Sequence, residues 1–162
     1  MKLNITGWRY EPKLDIWLEI TVSELGVKSL NFTASPSSPC HDSHKTIMRD
    51  VIRQLDEYFI GTLKRFDVPL DLGEKSLFHK KVWNALLDIP YGETRSYGEV
   101  AVDIGHARAA RAVGTANSRN PVPIIVPCHR VIRNDGSIGQ YSSGPGIKRI
   151  LLEHEGAGFR IK

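Results

Sequence analysis

The stretch SYGEVAVDIGHARAARAVGTAN, residues 96–117, decides how the fold is read. Ser96 followed three residues later by Glu99 is a capping box, in which hydroxyl and carboxylate each satisfy an orphan amide of the other. The short helix it starts carries Val100, Ala101 and Ile104, and Gly105 supplies the left-handed residue that ends it. A second helix is expected from about Ala107 to Asn117. Two short helices joined at a glycine, with the small Ala101 four residues before it, have the spacing of a helix-turn-helix. In the second helix Ala107, Ala109, Ala110, Ala112, Gly114 and Ala116 alternate with Arg108 and Arg111, and Arg119 follows. Small side chains let a backbone approach another surface closely, while arginines reach phosphates or bases. An Ala-rich helix buried in a core, its arginines solvated, is the competing reading, and composition alone does not choose.

Downstream, Asn120-Pro121-Val122-Pro123 leads into Ile124-Ile125-Val126, an apolar run expected as a strand, and then into Pro127-Cys128-His129-Arg130. An unperturbed thiol with pKa ~8.5 is only about 3% thiolate at pH 7. Lowering that pKa by two units takes ~2.7 kcal/mol. A helix N-terminus, His129 or Arg130 are candidate sources. On a strand, neighbouring side chains point to opposite faces, so Cys128 and His129 meet only across a turn or a bridging water. A buried structural cysteine is the alternative. Asn134-Asp135-Gly136 reads as a turn, and Pro145 opens a last helix with Ile147, Ile150, Leu151 and His154 on one side.

Upstream, Ser76 is a candidate N-cap for a helix bearing Phe78, Val82, Trp83, Leu86 and Leu87, stopped before Pro90. Phe66 to Gly73 reads as the connector between two lobes. Before it, Leu14–Val22 and Val27–Phe32, separated by Glu24-Leu25-Gly26, predict a small antiparallel hairpin or meander. Ala34 to Pro39 is a loop, and a helix is expected from about Ser43 to near Gly61, with Ile47, Val51, Leu55 and Tyr58 or Phe59 on one face. The expected fold class is α+β. An N-terminal α/β lobe, an antiparallel sheet plus helix over 1–72, precedes a mainly helical domain over 73–162 that holds the helix-turn-helix.

The 162 residues are 41% hydrophobic and 25% charged, which excludes wholesale disorder. No stretch approaches the roughly 18 apolar residues of a membrane span. Met1 to Tyr10 has no continuous apolar core of a secretory signal, so a cytoplasmic location (nuclear in a eukaryote) is expected. Two cysteines cannot build a disulfide framework. Cys40 with His41 and His44 could begin a zinc site, yet no fourth ligand is evident, so no metal is expected. Residues 1–72 carry a net charge of −1 and residues 73–162 a net charge of +5, an asymmetry that suits a polyanionic partner.

The segment NPVPIIVPCHRVI, residues 120–132, closely resembles the signature of the O6-alkylguanine-DNA alkyltransferases, also called methylated-DNA–protein-cysteine methyltransferases. The resemblance runs from Phe78 to Gly156 and includes Tyr97, AARAVG at 109–114, GQYS at 139–142 and LLEHEG at 151–156. The first lobe resembles the family only in size and element order. The resemblance implies a monomeric, cofactor-free protein that transfers an alkyl group from guanine O6, and less efficiently thymine O4, in double-stranded DNA to its own cysteine. It implies Cys128 as acceptor, His129 as the base reached through water, and Glu155 as the carboxylate that orients and charges it. Asn120 would hold the active-site turn, and Tyr97 would assist the leaving guanine. Arg111 would fill the gap of the extruded base, with Ala110, Ser96, Tyr97 and Thr115 also at the DNA. Tyr141, Ser142, Val131 and Gly139 would line the base pocket. Thr115 and Asn117 depart from some relatives on the minor-groove side, and Asn134-Asp135 leaves substrate size open. A lesion binder without chemistry, a cysteine hydrolase and a helix-turn-helix regulator are the rival functions.

Overall fold

The computed structural model describes residues 4–36 and 46–160. It is a mixed α+β protein whose residues fall into two compact units, one up to Glu74 and one from Lys75 on. No helix among the described residues is long and apolar enough to cross a membrane. The Cys40, His41 and His44 cluster and the start of the helix expected at Ser43 lie outside the described residues.

The N-terminal unit is a three-stranded antiparallel meander of β1 (Ile5–Glu11), β2 (Ile16–Val22) and β3 (Val27–Thr33), followed by α1 (Thr46–Ile60). Strand β2 starts at Ile16 rather than Leu14, because residues 12–15 turn the chain and Asp15 sits at φ 50. Alternation places Leu18, Ile20 and Val22 in the core. Helix α1 meets that core through Met48, Val51, Leu55, Tyr58 and Phe59. Met48 takes the inward place expected of Ile47, which is only half-buried. The segment expected as a connector is bonded into this unit instead. The Gln54 amide donates to Asp67 O and accepts from Asp67 N, and Val27 exchanges backbone bonds with Pro69 and Asp71. A Cβ on Gly26 would lie 2.4 Å from Pro69 O, so glycine is what permits this approach.

In the C-terminal unit, Ser76 caps α2 (Leu77–Leu87), whose Val82, Trp83 and Leu86 are buried. The capping box forms as expected. Ser96 Oγ accepts from Glu99 N at 3.2 Å, and Ser96 N donates to Glu99 Oε2 at 2.6 Å, starting α3 (Tyr97–Asp103). Gly105 turns the chain at φ 77. Helix α4 (Ala110–Ser118) begins later than expected, because Ala109 N bonds back to His106 O and Ala109 has no side chain to cap with. Arg108 therefore belongs to the turn. Trp83 Nε1 donates to Ala116 O at 2.9 Å and ties α2 to α4.

The strand expected at Ile124–Val126 does not form. Pro121, Pro123 and Pro127 remove ladder donors, and Ile124 takes φ 72 while Val126 N bonds back to Val122 O. The run is a buried turn that ends in a 3-10 turn, Cys128–Arg130. Two-residue strands β4 (Arg95–Ser96) and β5 (Val131–Ile132) pair in parallel, a link the sequence did not suggest. Helix α5 (Pro145–His154) has Pro145 in its first turn. It buries Lys148, Leu151 and Leu152 rather than the expected set, of which only Leu151 is buried.

Candidate active site

The loop from Asn120 to Arg130 mounts the thiol. Asn120 clamps it internally, its Nδ2 donating to Val126 O at 2.7 Å and its Oδ1 accepting from Val122 N at 3.0 Å. Asn117 holds it from α4, its Nδ2 donating to Cys128 O at 3.3 Å. Asn117, noted in the sequence as a departure bearing on the minor-groove face, is buried and reaches the active-site loop. Because Cys128 opens a 3-10 turn, the strand geometry that would separate it from His129 does not apply.

His129 is fully buried, and its Nε2 lies 2.9 Å from Glu155 Oε1. Burial pushes the Glu155 carboxyl up, but His129 and Arg130 hold it well below the usual carboxylate range. An ionised Glu155 can only accept, so His129 carries its proton on Nε2 and presents Nδ1 as an acceptor. That Nδ1 is buried and has no hydrogen-bond partner. Burial lowers the His129 pKa, opposed by Glu155.

Arg130 does not serve the thiol, as the sequence allowed. Its Nε and Nη2 donate to the two oxygens of Glu155, each at 2.9 Å, and Nη1 donates to Ile89 O at 2.6 Å. Gly92 N adds a fourth bond to Glu155 at 3.2 Å. The cation whose charge reaches the sulfur is Lys148, a residue the sequence reading missed because lysine reads as surface. Lys148 is fully buried, its Nζ donating to Val131 O at 2.5 Å and lying 5.9 Å from the Tyr97 ring centroid. Burial lowers its pKa to about 8, against the pull of the Cys128 charge. Burial likewise pushes the Cys128 thiol up, opposed by Tyr141, Asn120 and Lys148. Tyr97 is raised by its own burial and stays a proton donor.

A cavity of about 660 Å³ lies beside this cluster, within the size range of small-ligand sites. Tyr97, Gly139, Tyr141 and Ser142 line it together with Ala110, Arg111 and Thr115 from α4, so the expected base-pocket and DNA residues share one space. Tyr141 joins it to the thiol, its hydroxyl 3.6 Å from Cys128 Sγ. Two expected members are placed elsewhere. Val131 is buried with its carbonyl on Lys148, and the Ser96 hydroxyl is spent on the α3 cap.

Residues 77–157 match the family model of the 6-O-methylguanine DNA methyltransferase DNA-binding domain. A methylated-DNA–protein-cysteine methyltransferase of Methanosarcina acetivorans is 51% identical over 138 residues, covering 83% of this chain and 88% of its own. The chain belongs to the methylated-DNA–protein-cysteine methyltransferase family. The fold agrees: the O6-methylguanine methyltransferase of Mycobacterium tuberculosis superposes with TM-score 0.80 at 38% identity, covering 99% of this chain and 97% of that one. A structure of Mycobacterium tuberculosis OGT in complex with DNA gives TM-score 0.76 at 45% identity over 86% of each chain. The stretch matched by the methyltransferase model holds Cys128, the α3–α4 pair and the cavity.

Lys148→Met tests the local electrostatics. Loss of one cation whose charge reaches the sulfur is expected to slow Cys128 alkylation about tenfold at pH 7, one pK unit of thiol stabilisation. Wild-type Lys148 is charged below about pH 8 and neutral above it, so the gap between the two proteins should narrow as pH rises past 8. Equal rates at pH 7 would show that Lys148 only packs.

Proposed function

We propose that this chain repairs DNA by accepting, once and irreversibly, an alkyl group from O6-alkylguanine, and less efficiently from O4-alkylthymine, onto Cys128. The single observation that carries the reading is a cysteine joined through Tyr141 to a cavity lined by α4, and followed by a His129 whose Nδ1 is unspent and whose Nε2 is held by Glu155.

The damaged base rotates out of the duplex into the cavity, at a cost of a few kcal/mol. Helix α4 lies in the minor groove, its small residues allowing close approach, and Arg111 occupies the vacated stack. The Cys128 proton passes through one water to His129 Nδ1 as sulfur attacks the alkyl carbon. The carbon–oxygen bond breaks and its electron pair stays with the base, which takes a proton from Tyr97 and leaves as guanine. Tyr97 and His129 then re-equilibrate with solvent, and the net change is thiol plus alkylguanine to thioether plus guanine. A thioether is a poor leaving group, and no second thiol among the described residues can resolve it. The protein is therefore consumed, acting as a cytoplasmic monomer without cofactor.

Titration of a methylated duplex with protein is expected to remove one lesion per chain and stop. Continued turnover would favour a hydrolase. Arg111→Ala should slow transfer from duplex DNA far more than transfer from free alkylguanine, because the free base needs no extrusion. Equal slowing on both substrates would remove Arg111 from the extrusion step.

A further inference from the structure

Among the described residues, the cavity wall carries two charged side chains, Arg111 and Arg133, and no carboxylate. Arg111 stands on α4, where the proposed extrusion employs it. Arg133 comes from the other side of the chain's path, just after β5, and the mechanism above leaves it without work. Its backbone is rigidly mounted: Arg133 N donates to Ser137 O at 2.9 Å and Arg133 O accepts from Gly136 N at 2.9 Å. Its side chain lies across Gly139, so near that a Cβ there would meet Arg133 Cγ and Nε at 3.4 Å. The positive φ of 67 is what favours glycine at 139, and the Arg133 side chain packs over it at van der Waals distance.

Arg130 is paired with Glu155 and Arg149 with Glu153, while Arg133 makes no ion pair among the described residues. It lines the same cavity as Tyr97, and its charge is felt at Tyr97 and at Lys148. An unpaired guanidinium on a fixed stem suits an oxyanion, which its planar fork binds in bidentate fashion. The base that enters is neutral, but an everted nucleotide must bring its own flanking phosphates to the rim. We infer that Arg133 binds a backbone phosphate of the strand carrying the damaged base and so holds the everted nucleotide at the cavity mouth. This rests on the repair reading proposed above.

The test compares Arg133→Gln and Arg133→Lys with the parent in the full chain. Affinity for a duplex with one O6-methylguanine is measured against salt in a Cys128→Ala background, and transfer is measured separately from duplex and from free O6-methylguanine. For Arg133→Gln the expected result is about tenfold weaker binding at low salt and a log–log salt slope shallower by ~0.9, the signature of one lost phosphate contact. Duplex transfer should fall several-fold more than free-base transfer, and Arg133→Lys, which keeps the charge, should recover the slope but only part of the affinity. An unchanged salt slope, or equal loss on duplex and free base, would overturn the phosphate assignment. If the unmodified protein takes up no alkyl group from either substrate, the repair reading itself fails.

Discussion

Glu155→Gln will destabilise the C-terminal unit by about 3–5 kcal/mol, the range for removing one partner of a buried ion pair. Glu155 accepts from His129 Nε2, from two nitrogens of Arg130 and from Gly92 N. A glutamine offers one acceptor and turns an amide toward donors, leaving the buried Arg130 guanidinium without a counter-charge. Urea unfolding at pH 7 measures the loss directly. The pH dependence follows from the sign of the shift. The folded Glu155 pKa lies below its unfolded value of about 4.3. Its contribution is therefore complete above that pH and is lost as pH falls through the lower folded value. The variant should lack this acid-side component. A loss under about 1 kcal/mol, well short of that range, would mean that Arg130 finds another acceptor.

Cys128→Ser should abolish alkyl uptake while keeping affinity for damaged duplex. A hydroxyl at this position is a far weaker nucleophile than a thiol that feels the charge of Lys148. The affinity should survive because the proposed DNA contacts are on α4 and the cavity rim, and Cys128 is 2% exposed. Residual transfer in the variant would move the acceptor elsewhere. Loss of DNA binding together with transfer would make the cysteine structural.

Local signals were legible from the residues themselves. The Ser96–Glu99 box, the Ser76 cap and the left-handed Gly105 each depend on a few neighbours, and the chain forms them where the pattern says. Tertiary context erased other signals. Ile124–Val126 is as apolar as a buried strand, and only the flanking prolines and the positive φ of Ile124 make it a turn. Lys148 reads as the solvated side of α5, yet burial against Val131 O and Tyr97 rotates the inward face by one residue. Arg130 neighbours Cys128 in sequence but turns to Glu155, 25 residues on, and no local pattern announces that pairing. The link from His129 to Glu155 was expected through resemblance alone, and periodicity would not have found it. Asn117, noted as a departure bearing on the minor-groove face, serves the active-site loop because α4 packs its inner face against Cys128 O.

Peptide mapping by mass spectrometry, after incubation with one equivalent of duplex bearing a single O6-methylguanine, bears most directly on whether this sulfur takes the alkyl group. One methyl group on the peptide containing Cys128, matched by one repaired guanine per chain, is the result expected. A repaired guanine with the methyl group on Cys40 or on any other residue, or a released methylated small molecule with Cys128 unmodified, would contradict it.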